Sequence, residues 1–265
     1  MTLRCFNAIS ELSAEAWDAL VPPDQPFLSH AFLVALEQSA SVGPGTGWLP
    51  AHAVLQDDAG QVIAAMPGWQ KLHSRGEYVF DQGWAEAAYR AGLAYYPKWL
   101  SAVPFSPISG PRLLGSASAI AELLALLPSH PAWAPYSGLH INFTNTENDH
   151  LLTNDTRWLH RRDCQYRWHN RSYGNFDDFL AQLTADRRKK IRQERKKLAL
   201  TGLSFVWRYG DACDAALQER IYACYANTYW VRGQQPYLTP AFFARIFVTL
   251  ARSVQVLCVE RDGEL

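Results

Sequence analysis

Hydrophobic and polar positions along this chain alternate between two periods, 3.6 and 2, and so predict a mixed α/β fold. Residues 11–21 read as a short helix with Ser10 or Ser13 as cap and Trp17 and Leu20 inward. Ser29 is a second N-cap, followed by the helical stripe Phe32, Leu33 and Leu36. Residues 51–56 and 61–71 predict a β-hairpin about Asp57-Asp58-Ala59-Gly60, and Gly76 to Asp81 a third strand. A helix is expected over 85–94; the Pro-rich tract behind it cannot continue that helix, because each proline lacks a donor and restricts its predecessor. Residues 117–127 predict a helix, and 138–144 and 157–169 predict strands. Asn175 caps a helix with Asp177 and Asp178 in its first turn. Leu180, Leu183, Ile191 and Leu198 share its apolar face, and Gly202 ends it, as one long helix or as two broken near Thr184. A strand over 203–208, helices over 215–229 and 242–251, and a strand over 254–260 complete the pattern.

One pattern occurs twice. Pro26-Phe27-Leu28-Ser29 opens an apolar helix, and so does Pro236-Tyr237-Leu238-Thr239. Downstream of the first lies the strand and turn Ala53-Val54-Leu55-Gln56-Asp57-Asp58-Ala59-Gly60; downstream of the second lies Val256-Leu257-Cys258-Val259-Glu260-Arg261-Asp262-Gly263. An internal repeat bears on the whole fold. It predicts a complete first domain over about residues 1–170 and the opening part of a second copy over 171–265.

Composition adds limits. Apolar residues make up 48% of 265, enough for a substantial core, and the ten Trp, twelve Tyr and twelve Phe are mostly core or groove material. Net charge is zero, so a preference for nucleic acid or membrane must come from a local patch. Five scattered cysteines without a CxxC argue against a zinc ribbon or a disulfide framework and fit a reducing cytoplasm. No signal-peptide h-region follows Arg4, and no apolar run approaches a membrane span.

The densest chemistry is the run from Asp186 to Lys197, with eight basic residues in twelve. On a helix Arg188, Arg192 and Arg195 form one stripe, and planar guanidinium groups suit phosphate. A solvated amphipathic helix is the other reading. The rigid stretch 95–112 sets Tyr95, Tyr96, Lys98, Ser106 and Arg112 among prolines and aromatics, as a binding loop or as a packed crossover. Lys71, His73, Arg75, Glu77 and Asp81 lie close in sequence; His73 with Glu77 or Asp81 is a candidate acid/base pair, against plain surface charge. Val42 to Gly47 is Gly-rich but lacks the order of a phosphate cradle. The chain has no nucleophile elbow, HExxH, P-loop or kinase motif, and its eight histidines show no metal-ligand spacing. His160 and His169 flank Cys164 but would need distant partners to form a site.

Pro26–Phe32, Ala64-Ala65-Met66-Pro67, His73–Asp81, Tyr95-Tyr96-Pro97-Lys98 and Gly110–Leu114 together resemble the bacterial FemAB-like N-acyltransferases. So do Phe176–Leu180, the basic helix and Pro236-Tyr237-Leu238-Thr239. The resemblance spans nearly the whole chain. It implies tandem GNAT-type domains that transfer an acyl group from coenzyme A, or an aminoacyl group from tRNA, to an amine, as in peptidoglycan-precursor metabolism. It implies a phosphate-holding role for Lys98, Arg112 and the Arg188/Arg192 stripe. The R/Q-x-x-G-x-G/A loop of ordinary GNAT enzymes is absent, since Arg90-Ala91-Gly92-Leu93-Ala94 has the wrong spacing. Members of the family are longer, which leads to the expectation of a chain cut short in its second sheet, with strand 254–260 open to self-association and low transferase activity. Two rivals stand beside the enzyme: a nucleic-acid-binding module, with aromatics from Trp207 to Trp230 following the basic helix, and an inert form that only binds a phosphate-bearing ligand.

Overall fold

The computed structural model describes residues 1–262. The chain divides into two compact units: Met1–Trp158 with Tyr209–Val254, and Leu159–Arg208 with Gln255–Leu265. The class is mixed α/β.

The larger unit holds two four-stranded sheets. In the first, β1 (Thr2–Phe6), β3 (His52–Gln56), β4 (Val62–Met66) and β7 (Leu114–Gly115) lie side by side, all antiparallel. β3 reads as an unbroken apolar run because both faces of this sheet are covered. Val54 and Ala65 face one core with Trp17, Leu33 and Leu36. Ala53, Leu55, Ala64 and Met66 face a second with Ile120, Leu123 and Leu127. The two-residue period of a strand makes this division. Helices α1 (Ala14–Asp18) and α2 (His30–Gln38) contribute to the first core, α4 (Ala117–Leu126) and α5 (Thr146–Thr153) to the second. Each fully buried aliphatic side chain stabilises by about 1.5–3 kcal/mol. Ser13 rather than Ser10 caps α1, and Ser29 caps α2 as expected.

The second sheet has the order β2 (Trp48–Pro50), β5 (Trp69–Lys71), β6 (Lys98–Ser101), β8 (Leu139–Ile141), with β6 and β8 parallel and the rest antiparallel. Four tryptophans are fully buried in this unit, and each indole N–H donates to a backbone carbonyl: Trp17 to Leu28, Trp48 to Arg75, Trp69 to Ala102 and Trp99 to Ala51. Bulk thereby fills the core without orphaning a donor.

Several expectations are corrected. The strand expected over 61–71 breaks at Pro67-Gly68, and its two parts enter different sheets. Gly68 is required there, because a Cβ would run into the Ala51 carbonyl and the Trp99 ring. Gly76 to Asp81 is no strand; Tyr78 and Phe80 have φ of 60° and 49°, which no strand tolerates. The helix expected over 85–94 is α3, Gln82–Arg90. Residues 157–169 form no strand: Leu159 through Arg171 are all exposed, so no buried face exists to reward an alternating pattern. Helix α5 was not expected; Asn145 caps it, accepting from Asn148 N at 3.0 Å.

Helices α8 (Ala215–Trp230) and α9 (Pro240–Thr249) belong to this larger unit. The two copies of the Pro-aromatic-Leu-Ser/Thr pattern meet here. Thr239 caps α9 as Ser29 caps α2, and the two helices pack together. Phe32 and Phe242 stand edge to face at 5.7 Å, and Thr239 Oγ1 donates to Ser39 O at 2.9 Å.

The smaller unit contains α6 (Phe176–Ala181), α7 (Ala185–Ala199) and most of a two-stranded sheet of β9 (Leu203–Tyr209) and β10 (Gln255–Arg261). The stretch behind Asn175 is thus two helices, separated at residues 182–184. Its expected apolar face is interrupted by that break: Leu180 is buried, whereas α7 contains no buried residue. An ion pair of 2.6 Å between Arg208 and Glu260 ties β9 to β10. After α9, therefore, comes a strand that runs into a turn at Asp262, φ 54°. Gly263, the other half of the expected turn, lies outside the described residues.

Candidate functional site

Strands β5 and β6 place Lys71 directly opposite Lys98 in register, and both side chains are wholly buried. Two ammonium groups in a core require carboxylates. The turn between β5 and α3 supplies them. Glu77 and Asp81 are both buried. Lys98 Nζ lies 2.8 Å from Glu77 Oε2 and 2.5 Å from Asp81 Oδ2. Lys71 Nζ is 3.9 Å from Glu77 Oε1, donates to Gly47 O at 3.0 Å, and sits 3.6 Å from the centre of the Trp48 ring. Gly76, Tyr78 and Phe80 all have positive φ, so the turn is locally strained by about 1–3 kcal/mol at each aromatic position. Glu77, held by the lysines, anchors it.

A half-buried rim surrounds this floor. Tyr95 donates to Asp81 Oδ2 at 2.7 Å. Ser74 Oγ is 2.6 Å from Tyr96 OH and accepts from Lys98 Nζ at 3.0 Å. His140 on β8 stacks edge-on to Tyr95 at 5.8 Å. Tyr96 OH, Ser74 Oγ, Lys98 Nζ and Glu77 thus form a continuous polar line from rim to floor.

The burial sets the proton affinities. Desolvation pushes the Lys71 ammonium down to about 6, with Glu77 opposing and Lys98 adding to the fall. Desolvation raises the Glu77 carboxyl, against the pull of Lys98. Burial would raise Asp81 too, but hydrogen bonds from Lys98, Ser74 and Tyr95 outweigh it and hold the carboxyl at about 2. His140 falls to about 4 by burial and by the charge of Lys98. Tyr95 is raised by burial and by Asp81. The site therefore holds a carboxyl with raised proton affinity beside one with lowered affinity, and an amine that loses its proton near neutrality. Opposed shifts of this kind are what acid/base chemistry uses.

Of the residues singled out in the sequence, Lys71, Glu77, Asp81, Tyr95, Tyr96 and Lys98 come together here. His73 lies apart from the carboxylates in its bonding: its Nε2 is 3.1 Å from Thr46 O, and its Nδ1 accepts from Arg75 N. Ser106 caps a local turn, accepting from Ile108 N at 3.4 Å. Arg112 is buried and donates to three carbonyls, those of Asn142, Pro111 and Ile108. Arg188, Arg192 and Arg195 belong to the smaller unit. There Arg192 pairs with Asp177 at 2.8 Å, Arg195 lies 4.4 Å over Phe176, and Arg188 donates to Ala181 O and Leu183 O. Ser74 and His140 were not singled out for this site. Ser74 carries no local signal, and His140 arrives only through the parallel pairing of β8 with β6. Among the described residues no group of three or more His, Cys, Asp and Glu is placed to hold a metal ion. Among the described residues no helix is long and apolar enough to cross a membrane.

Fold and site define a mixed α/β protein built around a desolvated amine and carboxylate set. Residues 8–265 match the FemAB-like family, described as peptidoglycan biosynthesis/recognition, and the chain belongs to that family. No curated protein matches the chain.

Proposed function

We propose that the protein is an N-acyltransferase that moves an acyl or aminoacyl group from coenzyme A or tRNA to an amine acceptor in peptidoglycan-precursor metabolism, on a GNAT-like fold. The observation that carries this reading is the polar line from Tyr96 to Glu77 inside a FemAB-like chain. Acyl transfer to nitrogen begins with an amine, and the amine must lose a proton as the new C–N bond forms and the donor's C–O or C–S bond breaks, the oxygen or sulfur leaving as an alkoxide or thiolate that takes up a proton from water. Tyr96 OH accepts that proton from the acceptor amine and passes its own to Ser74 Oγ. Lys98, an ammonium that donates to Ser74 Oγ, first gives a proton to Glu77, and the neutral amine so formed then takes one from Ser74. Each group ends as it began except Glu77, whose raised proton affinity suits it to the last position. Asp81 stays ionised and fixes Lys98 and Tyr95. Positioning of this kind lowers the entropy of reaction.

The test is direct. The full chain is incubated with an acyl-coenzyme A or an aminoacyl-tRNA and a nucleotide-linked sugar peptide bearing a free amine. Mass spectrometry reads the acylated peptide. Glu77→Gln should lower kcat about 100-fold or more. Product formation equal in wild type and Glu77→Gln would overturn the assignment of Glu77, and no product with either donor would overturn the transferase reading.

A further inference from the structure

The zero net charge of the chain conceals a division. The smaller unit has fourteen Lys and Arg against eight Asp and Glu, a balance of +6, and the larger has eleven against seventeen, a balance of −6. Much of the excess lies in α7 and in Arg161, Arg162, Arg167 and Arg171 ahead of α6. Concentrated positive charge of this order draws a polyanion.

The same unit contains an aromatic hollow of about 340 Å³ lined by Trp168, Asn170, Tyr173, Asn175, Phe176 and Phe179. Trp168 and Tyr173 lie nearly parallel, 6.2 Å apart at 28°, and Phe179 stands edge-on to both. Trp168 is 65% exposed, so its ring is open to a ligand. Arg195 over Phe176 sets a cation at the margin of the hollow, and Arg188, Lys189, Arg192 and Lys196 line a basic hollow along α7.

We propose that the smaller unit binds single-stranded nucleic acid, with a base stacked in the Trp168 hollow and backbone phosphates along α7. Flat aromatic faces beside a cationic track are what unpaired bases require, and a duplex keeps its bases out of reach of such a hollow. An anionic membrane would instead call for an apolar face on the basic helix, and α7 has only Ile191, Leu198 and alanines among its polar residues. The inference does not rest on acyl transfer, although such a site would also serve a tRNA donor, and it is tested without an acyl donor.

The experiment is fluorescence anisotropy of a labelled oligouridylate with the full chain. An abasic strand of equal length, heparin and phosphatidylglycerol vesicles serve as competing probes. Support is tighter binding of the base-bearing strand than of the abasic one, an affinity that falls steeply with salt, and a loss of about ten-fold in Trp168→Ala that Trp168→Phe restores. Lys189→Gln with Lys196→Gln should reduce the salt slope by about 1.4. Equal affinity for base-bearing strand, abasic strand and heparin, untouched by either Trp168 variant, would overturn the proposal. So would binding of vesicles alone, or of none of the probes. Circular dichroism of the exposed-site variants checks that each is folded.

Discussion

Lys71 and Lys98 face each other across β5 and β6, both without solvent contact, and share Glu77 between them. Like charges directly opposite in a sheet repel; burial and the charge of Lys98 lower Lys71 to about 6, whereas two carboxylates hold Lys98. The two lysines are not equivalent. Lys98 touches both carboxylates closely, whereas Lys71 lies 3.9 Å from Glu77. Lys98→Met should therefore cost about 3–5 kcal/mol, because it strands two buried acids. Lys71→Met should change stability at neutral pH by less than about 1.5 kcal/mol, since a buried amine that gives up its proton at about 6 is replaced there by an apolar chain of similar volume. Urea titration of both variants measures the difference; equal losses would show that the lysines act alike.

The site also predicts a direction with pH. His140 titrates near 4 in the folded chain against an ordinary 6.5, so the unfolded chain binds more protons between those values. Stability should fall as pH drops from about 6.5 to 4, and again toward 2 as Asp81, held at about 2, takes up its proton. Glu77 opposes this trend just above its ordinary value, because its folded affinity is raised. In His140→Phe the urea midpoint should vary less between pH 6.5 and 4. An unchanged slope there would assign the acid response elsewhere.

The polar line makes Tyr96→Phe and Ser74→Ala informative. Both remove a hydroxyl between rim and Glu77 and leave the ion pairs of Lys98 intact. Each should lower kcat about ten-fold or more with KM little changed, in the transfer assay above. A rise in KM at constant kcat would make these hydroxyls binding groups instead.

Thr239 serves two purposes, capping α9 and donating to Ser39 O. Thr239→Ala should cost about 1–2 kcal/mol. Phe242→Ala at the same helix contact should cost about 3–5 kcal/mol. Thermal or urea unfolding would reveal whether the α2–α9 contact is this strong; losses below 0.5 kcal/mol in both would not fit it.

β10 pairs only with β9 among the described residues, and Leu257 and Val259 on it are exposed. We propose self-association through residues 254–260. Leu257→Lys should shift the apparent mass downward in size-exclusion chromatography with light scattering at micromolar concentration. A wild type that runs as a monomer would remove the idea.

Local pattern was enough for elements whose signal is periodic and near in sequence. Ser29 before Phe32 and Leu33, and Thr239 before Phe242, announce capped helices because a hydroxyl and an apolar stripe act within one or two turns. The strand Ala53-Val54-Leu55 and its turn are legible for the same reason. Clustering of Glu77, Asp81 and Lys98 was visible as separate candidates, but not as one site. That required β6 to lie beside β5, which brings residues 71 and 98 into register, and β8 to deliver His140 from forty residues further on. It also required Gly76 to Asp81 to abandon the extended form suggested by its sequence, because the ion pairs with Lys98 stabilise a turn that local propensity disfavours. The sequence by itself determined the class, the caps and the basic helix. Tertiary structure alone decided which charges lose their water, and desolvation, which depends on every element packed around a group, is what gives this site its chemistry.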